Sequence, residues 1–194
     1  MARDSAPAFL CSPQITLWET PLLIRNAVPS DAAALAQVAE QTFRATFGAL
    51  NRAEDMELHC SRSYGEQLQA DEISDPRMTT LLAEHDGGLI GYAQLRWGDA
   101  AACVVAQRPC EIQRLYVVAN WHGHGVAQEL MAASIAEARR RRSDVIWLGV
   151  WERNPRAIAF YRRCGFVEVG DHVFPLGNDR QRDLVMALAL ALDD

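Results

Sequence analysis

Leu115-Tyr116-Val117-Val118-Ala119-Asn120-Trp121-His122-Gly123-His124-Gly125-Val126-Ala127 carries the chain from a strand into a helix across one glycine-containing turn. The segment from Glu111 to Val118 ends in strong β-formers and reads as a strand. From His124 to Arg142 the apolar positions Val126, Leu130, Met131, Ile135 and Ala138 fall on one side of a helix. Between them, glycines let the backbone come close to a ligand, successive N–H groups point outward, and the helix adds its positive end. A pyrophosphate suits such a place. An ordinary strand-to-helix turn fits the same residues. The G-K-[ST] ending of a P-loop and a full G-x-G-x-x-G are both absent, so triphosphate and dinucleotide readings lose ground.

Toward the C-terminus, Val145 to Val150 is a continuous apolar run and therefore a central strand, and Pro155 stands where a helix begins. That helix runs from Arg156 to Cys164, with Gly165 as its stop. Asn154, Ile158 and Tyr161 share one side, and Ala157, Phe160 and Cys164 another, so one face can pack while the other presents a phenol. Taken alone, a tyrosine at such a place is more often half-buried packing than an acid. Phe166 to Val173 and Asp183 to Leu192 then pair as a hairpin around Gly177-Asn178-Asp179.

Toward the N-terminus, a hairpin is predicted from the strands 79–83 and 89–93 around Asp86-Gly87-Gly88. Before it lies a helical region from about Asn51 to Ile73, broken near Ser63 to Gly65. A first strand spans Leu22 to Ala27, and a first helix follows the capping oxygens of Ser30 and Asp31 with the stripe Leu35, Val38, Ala39, Thr42, Phe43. The sum is an α/β domain over 22–194 with about seven strands and about four helices, without internal repeats. Residues 1–21, with Pro7, Pro13 and Pro21, read as an extension outside it.

The chain has 194 residues, 49% hydrophobic and 23% charged, enough for one domain with a sizeable core. No run is long and apolar enough for a membrane span and the start lacks the order of a secretory signal, so a cytoplasmic address is expected, with no membrane partner. The five cysteines are odd in number and never in a C-x-x-C pair, which favours reduced thiols over disulfides or zinc. A net charge of −6 opposes a nucleic-acid partner. Arg139 to Arg142 suit the negative end of their helix better than a phosphate backbone. The acids are uneven: Glu54, Asp55, Glu57, Glu66, Asp71, Glu72 and Asp75 crowd the 51–75 segment against Arg52 and Arg62. A cationic partner or a solvated helix face accounts for that equally well. His122, His124 and His172 lack a carboxylate or cysteine at ligand spacing, so no metal is expected.

Leu115-Tyr116-Val117, then His-Gly-His-Gly-Val-Ala, a strand, and Asn154…Ala157…Phe160-Tyr161…Gly165-Phe166, in that order, resemble the GCN5-related N-acetyltransferase (GNAT) superfamily over roughly Ile24 to Leu190. Thr42-Phe43…Thr46-Phe47-Gly48…Asn51…Glu54-Asp55-Met56, Trp147 to Glu152 and Gly170-Asp171-His172…Phe174…Gly177 look like the bacterial spermine/spermidine acetyltransferases related to PaiA.

The resemblance implies a mixed, mostly antiparallel sheet whose central strands splay to form an acetyl-CoA cleft. The backbone of Leu115, Tyr116 and Val117 would bind the pantetheine arm as a false strand does, with the Leu115 N–H on the thioester carbonyl. His122, Gly123, His124, Gly125, Val126 and Ala127 would cradle the pyrophosphate, and Asn154, Ile158 and Tyr161 would border the arm. His122 departs from the family's Gln or Arg at that position and brings less positive charge. Tyr161 would be the general acid for the departing thiolate. Glu111, four residues before Leu115 and expected on the same strand face, would be the base; an edge carboxylate paired with an arginine is the other reading. Because the family's first helices border the acceptor, Glu54 and Asp55, with Trp97 or Trp151 as an aromatic face, are the candidate substrate residues. The implied reaction is acetyl transfer from acetyl-CoA to a primary amine of spermidine or spermine by direct attack, without metal. Acetylation of a protein N-terminus or an aminoglycoside, or a non-catalytic CoA-binding module, are the rivals. A homodimer is left open.

Overall fold

The computed structural model describes residues 21–191. All but the last residue of the 1–21 extension lies outside them. Seven strands form one sheet: β1 (Leu23–Asn26), β2 (Met78–His85), β3 (Gly88–Trp97), β4 (Pro109–Val117), β5 (Val145–Trp151), β6 (Val167–Leu176) and β7 (Asp179–Ala189), in spatial order β1-β2-β3-β4-β5-β7-β6. Only β4 and β5 run parallel. The helices are α1 (Ala32–Phe47), α2 (Ala53–Ser63), α3 (Glu66–Ser74), α4 (Val126–Arg140) and α5 (Pro155–Arg163). The expected break near Ser63 to Gly65 separates α2 from α3, which brings the count to five.

Each sheet face carries its own apolar layer. On one, Leu35, Phe43, Met56, Tyr64, Leu82, Tyr92 and Leu176 pack the first three helices against the sheet. On the other, α4 and α5 cover Leu95, Ile112, Ile146, Leu148 and Met186, and Cys164 packs at the edge of that layer. A buried polar network ties α3 to the sheet: Glu72 is 2.7 Å from the Arg114 guanidinium and accepts from the Gln94 amide at 3.0 Å. Burial opposes the charge on Arg114, but Glu72 more than compensates and keeps it cationic.

Two irregularities shape the middle of the sheet. The parallel β4–β5 ladder stops at the pair Glu111 and Trp147, beyond which the strands diverge. Between Gln94 and Leu95 the β3–β4 register shifts: Leu95 faces Ile112 while Gln94 faces Arg114, leaving Gln113 as the extra residue of a bulge. One inserted residue reverses side-chain parity. Glu111, opposite Arg96, therefore shares its face with Arg114 and Tyr116, and Leu115 points to the other face, which corrects the expectation that Glu111 and Leu115 lie together.

Candidate active site

A cavity of about 620 Å3 opens where β4 and β5 diverge, bounded on one side by the Ile112 to Val117 strand and on the other by Gly149, Val150 and Trp151. Past Glu111 the facing edges of these strands have lost their ladder partners, so main-chain donors and acceptors are free for an extended ligand arm.

One end of the cavity is made of backbone. Gly123 and Gly125 have φ of 84° and 88°, left-handed values that let the chain turn sharply into α4, and Gly125 is the N-cap. Gly123, Ala127 and Gln128 line the cavity at this helix start, where free N–H groups and the dipole favour an anion. The charge missing from His122 arrives from elsewhere: the Arg156 guanidinium sits 3.1 Å from His122 Nδ1, while His122 Nε2 is 2.8 Å from the Val117 carbonyl oxygen. With Arg156 donating to Nδ1, the ring proton lies on Nε2 and is given to Val117, so the imidazole is a neutral bridge holding a cation at the cavity wall. Glycine cradle, helix start and Arg156 fit the diphosphate of CoA.

From α5, Asn154 and Tyr161 reach the same cavity. Asn154 is the N-cap of that helix, its Oδ1 accepting from the Ala157 N–H at 3.1 Å. Burial pushes the Tyr161 phenol well above its ordinary pKa, with Cys164 adding to the shift. The phenol therefore holds its proton at neutral pH, the state a proton donor needs.

The opposite wall is aromatic: Phe43, Phe47, His59, Tyr64, Tyr116, Trp151 and Phe174, supplied by α1, α2, β4, β5, β6 and the residue after α2. His59 stacks on Phe43 at 4.5 Å between centroids, and burial, with Arg114 nearby, lowers its pKa to about 4. The wall is thus uncharged at neutral pH. Asp183 is the acid of the cavity lining among the described residues.

Of the residues singled out in the sequence, the structure gathers Leu115, Tyr116, Val117, His122, Gly123, Ala127, Trp151, Asn154 and Tyr161 around this cavity. Val126 and Ile158 are core side chains, and His124 lies beside Trp121. Glu111 stands outside the lining, its carboxylate 2.9 Å from Arg96, which is the edge ion pair weighed above. Glu54 and Asp55 also stand outside: Glu54 is exposed and paired with Arg52, whereas Asp55 is buried and accepts from the Asn178 N–H at 2.8 Å. Trp97 packs at the far end of β3, donating to Ser143 and covered by Arg141. Sequence reading missed Arg156, Asp183 and, beyond Tyr116 and Trp151, the aromatic wall. An acid at the head of the apolar run Leu184 to Leu190 is the one visible hint of Asp183.

The fold and the cavity together define an acyltransferase that takes its acyl group from a CoA thioester. The chain belongs to the acetyltransferase (GNAT) family, whose sequence profile matches residues 35–166, and it is an acetyl-CoA-dependent N-acetyltransferase. It is 34% identical over 161 residues to an uncharacterized N-acetyltransferase of Mycobacterium tuberculosis, covering 83% of this chain and 99% of that one. The PaiA N-acetyltransferase of Thermoplasma acidophilum, solved in complex with coenzyme A, has a similar fold, with a TM-score of 0.69 at 20% identity over 88% of this chain and 99% of that one. The ribosomal-protein-alanine N-acetyltransferase of Brucella melitensis gives a TM-score of 0.62 at 27% identity, over 87% and 99%. Among the described residues no helix is long and apolar enough to cross a membrane, and no cluster of metal-binding side chains occurs.

Proposed function

We propose that the acceptor is a small primary amine of the spermidine class, acetylated by direct attack on the thioester. The carrying observation is the gap between β4 and β5, which puts the Leu115–Val117 backbone, the Tyr161 phenol and an uncharged aromatic wall around one cavity. Acetyl-CoA supplies the thioester. The Leu115 N–H polarises its carbonyl, an effect worth roughly 3 kcal/mol for a preorganised donor. Tyr161 protonates the sulfur as it leaves. The methylene chain of the amine lies against Phe47, Trp151 and Phe174, and aromatic faces also attract its ammonium groups. Of the carboxylates at the α2 start, Glu54 lies outside the cavity lining and Asp55 is buried and bonded to Asn178, so the wall carries most of the recognition.

A second reading, acetylation of a protein N-terminus, is favoured by the 27% identity to the Brucella enzyme. Thiol release from acetyl-CoA against spermidine, spermine, putrescine, peptides with free N-termini and aminoglycosides separates the two. Spermidine or spermine is expected to give the highest kcat/KM; a response to peptides alone overturns the polyamine assignment, and no response to any amine leaves CoA binding without transfer. The chain contains no lysine, so lysine self-acetylation adds no background to the assay.

A further inference from the structure

Asp183 and His172 face each other across the β6–β7 ladder, and Trp151 faces Asp183 across β5–β7, so all three project from one side of the sheet. Asp183 is 8% exposed and borders the cavity; its Oδ1 is buried and has no hydrogen-bond partner, and neither has His172 Nε2, which lies 4.0 Å from Asp183 Oδ2. Gly149 makes room for the pair: a Cβ there would stand 2.6 Å from His172 Nε2 and 3.4 Å from Asp183 Oδ2. The two groups therefore sit over the β5 backbone where it borders the gap.

A buried carboxylate oxygen without a donor is costly, and such groups in folded proteins usually have a partner that completes them. A group that brings N–H donors and positive charge would complete it. The three arginines around the cavity do not serve: Arg114 is held by Glu72, Arg156 is turned to His122, and Arg163, at the end of α5, is not among the charges that act on Asp183. A primary ammonium has three donors, one charge and an attached chain that the neighbouring aromatic wall can cover. We propose that Asp183 holds the acceptor's ammonium and removes its proton, with His172 positioning the carboxylate.

This rests on the direct-attack reading and deepens it. The ammonium gives one proton to Asp183, and its freed electron pair forms the nitrogen–carbon bond to the acetyl group as the carbon–sulfur bond breaks. The sulfur leaves with that electron pair and takes the Tyr161 proton. The second nitrogen proton restores Tyr161 through solvent, the third stays on the amide, and Asp183 returns its proton to water. The charged and titratable groups facing Asp183 are His172 from β6, Glu152 just past β5 and the Tyr116 phenol from β4. Burial raises the Asp183 pKa to about 6, with His172 opposing and Glu152 reinforcing the shift. A base with that pKa is ionised at neutral pH and stronger than an exposed aspartate.

The test compares the wild type with Asp183→Asn, Asp183→Glu and His172→Gln, using thiol release from acetyl-CoA with the best amine of the panel above. Asp183→Asn is expected to lower kcat about 10²-fold or more at pH 7, with acetyl-CoA affinity unchanged, and to recover as the pH approaches the pKa of the free amine, where no base is needed. Asp183→Glu keeps part of the rate. His172→Gln moves the acid limb of kcat/KM upward, because His172 opposes the rise of the Asp183 pKa. A wild-type rate and profile in Asp183→Asn overturns the proposal, as does a loss of equal size at every pH. If the wild type acetylates no amine, the acceptor reading fails separately. The 13C carboxyl resonance of Asp183 then decides: a titration midpoint that moves down when spermidine is added supports the assignment, and one that spermidine leaves in place overturns it.

Discussion

The end of the cavity proposed for CoA and the end proposed for the amine are built on opposite plans. The first comes from two contiguous stretches, 115–128 and 149–163, and works through backbone: free strand edges, a glycine turn and a helix start. The second draws single side chains from α1, α2, β5, β6 and β7, residues as far apart in sequence as Phe43 and Asp183. A backbone site has one geometry that the fold either provides or does not. A side-chain site can be rewritten one residue at a time. The cofactor end therefore should break abruptly under substitution, and the acceptor end should change by degrees.

The largest effect is expected at Gly125. An aspartate there must adopt a φ of 88° and brings a negative charge to the anion-binding helix start. Gly125→Asp should weaken acetyl-CoA binding about 100-fold or more, measured by calorimetry, whereas Gly125→Asn, which tolerates the left-handed conformation and is neutral, should cost about tenfold at most. Equal losses in both would attribute the effect to backbone strain alone. Next comes Tyr161, which belongs to the backbone-built end yet acts through its hydroxyl. Tyr161→Phe should lower kcat about 100-fold and leave CoA affinity within a few-fold. An unchanged rate, with chemistry shown to be limiting, removes Tyr161 from the mechanism.

A smaller effect separates the two ends by pH. His59 is neutral in the folded aromatic wall down to about pH 4, while the unfolded chain protonates it near the ordinary value of 6.5. Between these values the unfolded state binds the extra proton, so the His59 contribution is full above 6.5 and is lost as pH falls toward 4. Asp183 acts in the reverse sense: its folded carboxyl takes a proton near pH 6 and the unfolded one near 3.8, so its burial costs least below pH 4 and most above 6. His59→Phe removes the first effect and leaves the second. With solvent reaching one side of the ring, the variant should gain about 1–2 kcal/mol on the wild type between pH 8 and pH 4.5, or about 3–6 °C in Tm. Parallel pH–stability curves for the two proteins would place the His59 ring in solvent.

The end proposed for the cofactor is legible in the sequence because its signals are local. Glycines, a helix stripe and the Asn154-to-Phe166 run sit within a few turns of one another, and their spacing carries the geometry. The hairpins are legible for the same reason, and so is the number of strands, whereas their spatial order is not. The amine end was hidden by facts that no local window contains. A single bulge residue, Gln113, moves Glu111 to the other face from Leu115, and nothing in Glu111 to Val118 announces it. Asp183 meets His172 and Trp151 only through the cross-strand register of β5, β7 and β6. The arginine beside the phosphate cradle comes from α5, not from the position where the loop shows a histidine.

The acidic segment gives the smallest predicted effect and the sharpest test of which carboxylates meet the amine. Glu54 is exposed and bonded to Arg52, a surface pair that contributes little, so Glu54→Gln should leave stability and the KM for spermidine unchanged within error. Asp55 sits beside it in sequence but is buried, and its carboxylate satisfies the N–H of Asn178 in the β6–β7 turn. Removing that acceptor breaks a hydrogen bond to a charged group, so Asp55→Ala should cost about 1.5–3 kcal/mol of stability. Because that turn continues into β7, which carries Asp183, loosening it should lower kcat modestly while spermidine still binds through the aromatic wall. If Glu54→Gln instead raises the spermidine KM several-fold at low salt, and added salt weakens the wild type more than the variant, the acceptor reaches beyond the cavity to the start of α2. The charge on that helix would then join the aromatic wall in recognising the amine.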